Sequence, residues 1–221
     1  DKESGPTNQE LPSYAHAVGA IYRNSDPTDI AVTAAGGLVG EVVQVWRPKE
    51  LNTHETEWGF SCMGYEISGA LGIKMANPDK EVIAFIGDGS YLLYNSDIYS
   101  SVITNNKLII IVCDNGGHAV INRLQLFKGG NEYNCLFETS NAPNLVGVDF
   151  AKHAESMGAK SEKVNSITEL EEAFKRAKKS DVTYVISIQT HSYQWLEGSA
   201  YWESPTLEIP NTKENEEALK L

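Results

Sequence analysis

Residues 81–90 read EVIAFIGDGS, and residues 107–118 read KLIIIVCDNGGH. Each is a run of β-branched and aliphatic residues that stops at small and polar ones. An apolar run without alternation marks a strand buried on both faces, because both sides of the pleat must then meet other apolar groups. The glycines, Asp and Asn that follow mark sharp turns at the strand ends. Two such strands with a helical segment between them predict a parallel sheet covered by helices.

The same rhythm continues outward. Upstream, Tyr14, Ala17, Val18 and Ile21 have helical spacing, and 29–33 is a short β-branched run ending in Ala34-Ala35-Gly36-Gly37. Residues 38–46 can be helical, and 63–75 have the small and apolar residues of a closely packed helix. Residues 97–105 form a helical segment behind the cap residues Asn95 and Ser96. Downstream, 150–157 and 167–179 read as helices, the second with Ser166 and Glu169 at capping-box spacing. Residues 184–189 read as another buried strand. The expected fold class is α/β: a doubly wound, mostly parallel sheet with helices on both faces. Residues 1–10 read as a linker or disordered end, 11–205 as one ligand-binding domain and 206–221 as a C-terminal tail. Within that tail, 211–221 is either a short helix or disordered. Trp195, Tyr201 and Trp202 are expected to pack over an edge or an interface.

The 221 residues suit one domain with tails. The 18 Lys and Arg against 30 Asp and Glu leave a net charge of −12. That balance argues against nucleic acid or an anionic membrane as the main partner, since both attract surplus positive charge. Three cysteines without CxxC spacing suggest neither a disulfide framework nor a zinc site. Cys113, inside a buried strand, reads as an inert thiol. No apolar run approaches the ~18–20 residues needed to cross a bilayer, and no basic-then-apolar leader opens the sequence. A cytoplasmic protein is the expectation.

Ligands of such sheets bind beyond the carboxyl ends of the strands. Three of those ends are unusual: 34–38, 85–90 and 112–118. Each runs from a strand through small residues into a helix start, which turns free backbone N–H groups toward an anion. A phosphate or diphosphate is the natural guest. Asp88 offers a hard carboxylate, Asn115 a neutral amide oxygen, and a backbone carbonyl follows Asn115. These are donors that Mg²⁺ or Ca²⁺ accepts, leaving places for phosphate oxygens and water. A metal–diphosphate unit reconciles an acidic protein with an anionic ligand. Taken alone, GDG reads first as a tight turn. A non-catalytic nucleotide- or phosphate-binding module is the alternative from another class, and it would bind without depending on Asp88 or a divalent metal.

Gly87-Asp88-Gly89, then 25 residues, then Asn115 resembles the thiamine diphosphate motif. Upstream, residues 57–72 (EWGFSCMGYEISGALG) resemble the segment that holds the cofactor's pyrimidine. The stretch from about 11 to 205 is similar to the C-terminal diphosphate-binding domain of the acetolactate synthase and pyruvate decarboxylase class. Within that class, Trp46-Arg47-Pro48, residues 59–72, residues 87–92 and Ile121-Asn122-Arg123-Leu124-Gln125 look most like the trihydroxycyclohexanedione hydrolases of inositol breakdown. Acetolactate synthase or a 2-oxoacid decarboxylase is the alternative within the class, because the motif does not separate them.

The resemblance implies roles. Asp88, the Asn115 side chain and the Gly117 carbonyl would bind Mg²⁺ (or Ca²⁺). Gly87, Gly89, Ser90 and amides near His118 would hold the diphosphate, with Gly37 and Leu38 touching it from the other side. Met63 would be the apolar wedge under the bend between thiazolium and pyrimidine. The Ser61 carbonyl would accept a hydrogen bond from the pyrimidine amino group. On spacing alone, Met63 reads as core and Ser61 as a helix cap. The resemblance also implies a separate pyrimidine-binding domain, from another subunit, that carries an activating glutamate. The full enzyme would be a homodimer or tetramer acting on a small dione or 2-oxoacid, and this chain alone would be catalytically silent. After Asn115 the hydrolases read GFGCIN, whereas this sequence has Gly116-Gly117-His118-Ala119-Val120-Ile121-Asn122. Residues 127–135 also depart from the hydrolase pattern, on the side where substrate is expected.

Overall fold

A computed structural model describes residues 11–141, 147–198 and 212–218. The linker reading of 1–10, the chain end beyond 218 and the packing of Tyr201 and Trp202 fall outside those residues.

In chain order the elements are α1 (Tyr14–Arg23), β1 (Ile30–Thr33), α2 (Gly36–Val45), β2 (His54–Thr56), α3 (Tyr65–Ala76), β3 (Val82–Gly87), α4 (Asp88–Leu93) and α5 (Asp97–Ile103). They continue with β4 (Ile109–Asp114), α6 (Ala119–Phe127), α7 (Phe150–Ser156), β5 (Lys160–Val164), α8 (Ile167–Lys178), β6 (Tyr184–Gln189) and α9 (Lys213–Ala218). The six strands form one sheet in the order β2-β1-β3-β4-β6-β5, and every pairing is parallel. The doubly wound expectation is met.

Strand periodicity sorts the core into two layers. Ile83, Phe85, Ile109, Ile111 and Cys113 point to the face covered by α1, α2 and α8. Val82, Ala84, Ile86, Ile110 and Val112 point to the face covered by α3, α4, α5 and α7. Alternate residues of one strand thus bury against opposite helix layers, which is why these strands are apolar throughout. Each such Ile or Phe contributes roughly 1.5–3 kcal/mol on burial. Cys113 is fully buried and burial pushes its thiol pKa up, as expected of an inert core thiol.

The helix starts are set locally. Ser13 and His16 form a reciprocal capping box on α1. The anticipated box on α8 forms by half. The Ser166 hydroxyl accepts from the Glu169 N–H at 3.2 Å, but the Glu169 carboxylate turns to the Asn165 N–H at 2.8 Å. Helix α3 begins at Tyr65, two residues later than 63–75 predicts, because Gly64 at φ +92 forms its N-terminal boundary. The edge strands β2 and β5 were not anticipated; their sequences, HET and KSEKV, are polar. The 213–218 segment is helical, and Asn215 Nδ2 donates to the Lys128 carbonyl at 3.1 Å.

The chain leaves β1 for β2 on one side and returns to β3 on the other. That reversal is the topological switch point, where a doubly wound sheet opens a crevice beyond its carboxyl ends.

Candidate functional site

A cavity of about 320 Å³ lies at this switch point. That is at the lower end of the range for small-molecule sites. The turn after β1 supplies Gly37 and Leu38, and the turn after β3 supplies Gly87, Asp88, Gly89 and Ser90. The turn after β4 supplies Asn115, Gly117 and His118, and the loop before α3 supplies Ser61 and Met63. All eleven residues singled out from the sequence line this one cavity.

At one end, three oxygen-bearing groups converge. Asp88 is buried, and its Oδ2 accepts from the Gly117 N–H at 2.6 Å. Asn115 Nδ2 donates to the Tyr14 hydroxyl at 2.6 Å. In that orientation the amide oxygen is 2.8 Å from the Gly117 carbonyl oxygen and 3.2 Å from Asp88 Oδ1. Three acceptors at this spacing repel one another unless a cation lies among them. The opposite orientation turns the amide NH₂ toward the same two oxygens and lets its oxygen accept from Tyr14. The first orientation calls for a cation at this point, whereas the second satisfies the cluster with hydrogen bonds alone. Burial and the nearby Asp114 carboxylate push the Asp88 pKa up to about 7, against hydrogen bonds from the Gly117, Gly89 and Asn115 backbones. Among the described residues no three His, Cys, Asp or Glu side chains cluster as a metal site. The donor set here is one carboxylate, one amide and one main-chain carbonyl, which suits a hard cation.

Gly117 makes this end possible. Its φ is +140, and a Cβ there would collide with the Cys135 carbonyl. The His118 N–H donates to that carbonyl at 2.7 Å, and the Phe137 N–H donates to the Gly116 carbonyl at 2.9 Å. The divergent segment therefore closes directly onto the β4 turn. His118 itself is exposed, with its ring over Gly89.

The other end is built differently. Ser61 is a non-glycine residue at φ +50, and Met63 is 37% exposed. The loop is gathered by the Glu57 carboxylate, which accepts from the Phe60 N–H at 2.9 Å and the Cys62 N–H at 2.7 Å. These bonds hold the Glu57 pKa below its ordinary value. Ser61 does not cap α3; Gly64 occupies that position.

Ser90 is committed elsewhere. Its hydroxyl donates to the buried Glu66 carboxylate and accepts from the Gly64 N–H at 2.8 Å. An anion in the cavity would meet this residue through its main chain.

Sequence reasoning gave no site role to several wall residues: Tyr14, Ala35, Ala119, Val120, Ile121 and Leu124. Tyr14 carries helical spacing and reads as core; only the folded chain brings its hydroxyl to Asn115. The others are small or apolar residues with no chemical signature. Trp195 is 43% exposed and stacks with the Arg123 guanidinium, 4.4 Å from its ring centre.

Residues 34–188 match the family model described as thiamine pyrophosphate enzyme, C-terminal TPP binding domain. A 3D-(3,5/4)-trihydroxycyclohexane-1,2-dione hydrolase of Bacillus licheniformis is 37% identical over 212 residues, covering 96% of this chain and 33% of the relative. The Lacticaseibacillus casei enzyme of the same name is 40% identical over 204 residues, covering 91% and 32%. The chain thus spans about a third of the length of these curated relatives. Among solved structures, a thiamine diphosphate-dependent 4-hydroxybenzoylformate decarboxylase of Rhodococcus jostii superposes with a TM-score of 0.70 at 21% identity. That match covers 82% of this chain and 33% of the other. A benzoylformate decarboxylase of Polynucleobacter necessarius gives a TM-score of 0.69 at 22% identity, covering 84% and 34%. At such identities the two structures speak for the fold.

Proposed function

Because this chain belongs to the thiamine pyrophosphate enzyme family as a C-terminal TPP-binding domain, we propose that its cavity holds thiamine diphosphate through Mg²⁺. We further propose that it serves an enzyme that hydrolyses a carbon–carbon bond of a cyclic dione. The observation that carries the cofactor reading is the convergence of Asp88 Oδ1, the Asn115 side chain and the Gly117 carbonyl at the tips of two adjacent strands. The 2.8 and 3.2 Å separations bracket the edge of an octahedron with bonds of roughly 2.0–2.1 Å, which is about 2.9 Å. Ca²⁺, with bonds of roughly 2.3–2.6 Å and a larger shell that crowds its ligands, spans separations of the same size. The named activity of the 37–40% identical relatives supports the dione as substrate class.

Bound thiamine diphosphate supplies an electron sink for a carbanion. The chain's own residues bind and orient. Asp88, Asn115 and Gly117 would hold the cation, and through it the diphosphate. Main-chain groups of 36–38 and 87–90 would surround the phosphate oxygens. Met63 would support the bend between the cofactor's rings, and the Ser61 carbonyl would accept a hydrogen bond from the aminopyrimidine. Large apolar side chains flank the cavity segments: Trp58 and Phe60 before Met63, and Leu92 and Leu93 after Ser90, all exposed. They suit cover by a pyrimidine-binding domain of another subunit in a homodimer or tetramer. On this reading the chain alone is catalytically silent. The free thiols of Cys62, Cys113 and Cys135 favour a cytoplasmic setting. Among the described residues no helix is long and apolar enough to cross a membrane.

The test is calorimetric titration of thiamine diphosphate, up to millimolar, with and without Mg²⁺, on the wild type and Asp88→Ala. Binding that needs both Mg²⁺ and Asp88 is expected. Binding indifferent to both would leave a nucleotide- or phosphate-binding module. Dione hydrolysis by the isolated chain at enzymatic rates would refute the silent-domain reading.

A further inference from the structure

Glu66 is wholly buried behind the cavity wall, at the second position of α3. Its Oε1 accepts from the Ala35 N–H at 3.2 Å and the Ser90 hydroxyl at 3.0 Å. Its Oε2 accepts from the Gly64 N–H at 2.9 Å and the same hydroxyl at 2.9 Å. Each donor belongs to a different wall. Ala35 immediately precedes the turn carrying Gly36, Gly37 and Leu38. Gly64 immediately follows Met63. Ser90 closes the Gly87-Asp88-Gly89 turn. We propose that Glu66 is a positioning residue that locks these three walls together and sets the loop of Ser61 and Met63 against the strand tips. This inference rests on the cofactor reading above.

Only a carboxylate fits the place. Both oxygens face donors, so whichever end of a Gln carried the nitrogen would meet a buried backbone N–H and orphan it. Burial pushes the Glu66 pKa up, while the bonds from Ser90, Ala35 and Gly64 favour the charged form.

The three walls do not depend on Glu66 equally. The turns after β1 and β3 grow out of paired strands, and Asp88 ties the second to Gly117. The 57–64 loop lies outside the sheet, and Gly64 reaches the rest of the site through Glu66 and Ser90. Loss of Glu66 should therefore loosen the bend loop first.

That asymmetry gives a readout beyond stability. Mg²⁺ with inorganic diphosphate reaches only the strand tips, whereas thiamine diphosphate also reaches the bend loop. Both ligands are titrated calorimetrically, at up to millimolar concentration, into wild type, Glu66→Gln and Ser90→Ala, with folding checked by thermal melts. For Glu66→Gln, thiamine diphosphate affinity is expected to fall about tenfold, the effect of one orphaned buried donor, while inorganic diphosphate stays within about threefold. Ser90→Ala keeps the bonds from Ala35 and Gly64 to Glu66 and should lower thiamine diphosphate affinity about threefold, with inorganic diphosphate, which meets Ser90 through the main chain, falling clearly less. If Glu66→Gln does not fold, Ser90→Ala decides. Equal losses for both ligands, or no loss for either, overturn the inference. A wild type that takes up neither ligand overturns the cofactor reading and this inference with it.

Discussion

The two ends of the cavity are made in opposite ways. The cation end stands on β3 and β4, strands buried on both faces, and its groups are fixed by main-chain bonds: Gly117 N–H to Asp88, Gly116 N–H to Asp114 and His118 N–H to Cys135. The bend end stands on an exposed loop gathered by Glu57, with Ser61 at positive φ and Met63 half-open to solvent. The first is ready before any ligand arrives. The second is finished by what covers it. Preorganised groups deliver binding energy without an ordering cost, while an exposed loop must be ordered first. Substitutions should therefore weigh heavily at the first end and lightly at the second.

The largest expected effect is from Asp88→Ala. It removes the sole carboxylate among the donors proposed for the cation, and truncating one member of a buried charge pair costs roughly 3–5 kcal/mol. Mg²⁺-dependent affinity for thiamine diphosphate should fall at least about 100-fold. A fall of less than tenfold would place the main hold on the cofactor elsewhere and erase the contrast between the ends.

Gly117→Ala comes next. The left-handed φ and the Cys135 carbonyl leave no room for a Cβ. Strain of this kind costs of order 1–3 kcal/mol. The midpoint of denaturant unfolding should drop accordingly, and the Mg²⁺ requirement should rise about tenfold as the Gly117 carbonyl moves off the cation. Wild-type unfolding and Mg²⁺ dependence together would mean that residues 135–137 do not press on this turn.

Met63→Ala should do least to binding in this chain. A side chain already 37% exposed forfeits only part of the roughly 1.5–3 kcal/mol that full burial gives. A loss of about threefold for thiamine diphosphate, and none for inorganic diphosphate, is expected by calorimetry. A loss matching that of Asp88→Ala would show the bend end to be as rigid as the cation end.

The same contrast decides what could be read from the sequence. Asp88 and Asn115 were legible because each closes an unbroken apolar strand, and adjacent parallel strands carry their ends to the same edge of the sheet. The edge strands β2 and β5 were not, because a strand with one free side tolerates polar residues and HET or KSEKV loses the signal. Glu66 was invisible for a further reason. A glutamate in the first turn of a helix ordinarily complements the helix dipole at the surface. What buries it is the packing of α3 beneath the β1 and β3 turns, which no local pattern states. Tyr14 was hidden likewise, a helix residue whose hydroxyl acquires a role only when α1 brings it to Asn115. The contacts proposed for the cofactor were written in local motifs, while the groups proposed to brace them were written in the tertiary fold.

The smallest effect tests the brace between the two ends. Burial raises the Glu66 pKa above its ordinary 4.5, so the folded chain holds that proton more tightly than the unfolded one. The stability from this group is then fully present below about pH 4.5 and is lost as pH rises through the folded pKa. Asp26, whose pKa Lys178 holds down, and Glu162, held down by Arg176, act with the opposite sign, losing their contribution as pH falls. Both are unchanged in Glu66→Gln and cancel when the variant is compared with wild type. Whatever deficit the variant shows should therefore shrink as pH rises from about 4.5 toward neutrality, since wild type alone loses the contribution of a buried proton. Urea unfolding of both proteins across that range reads the difference. A deficit that stays constant would mean that folded Glu66 holds its proton no more tightly than a solvated glutamate, and one that widens would mean that the bonds from Ser90, Ala35 and Gly64 outweigh burial and favour the carboxylate.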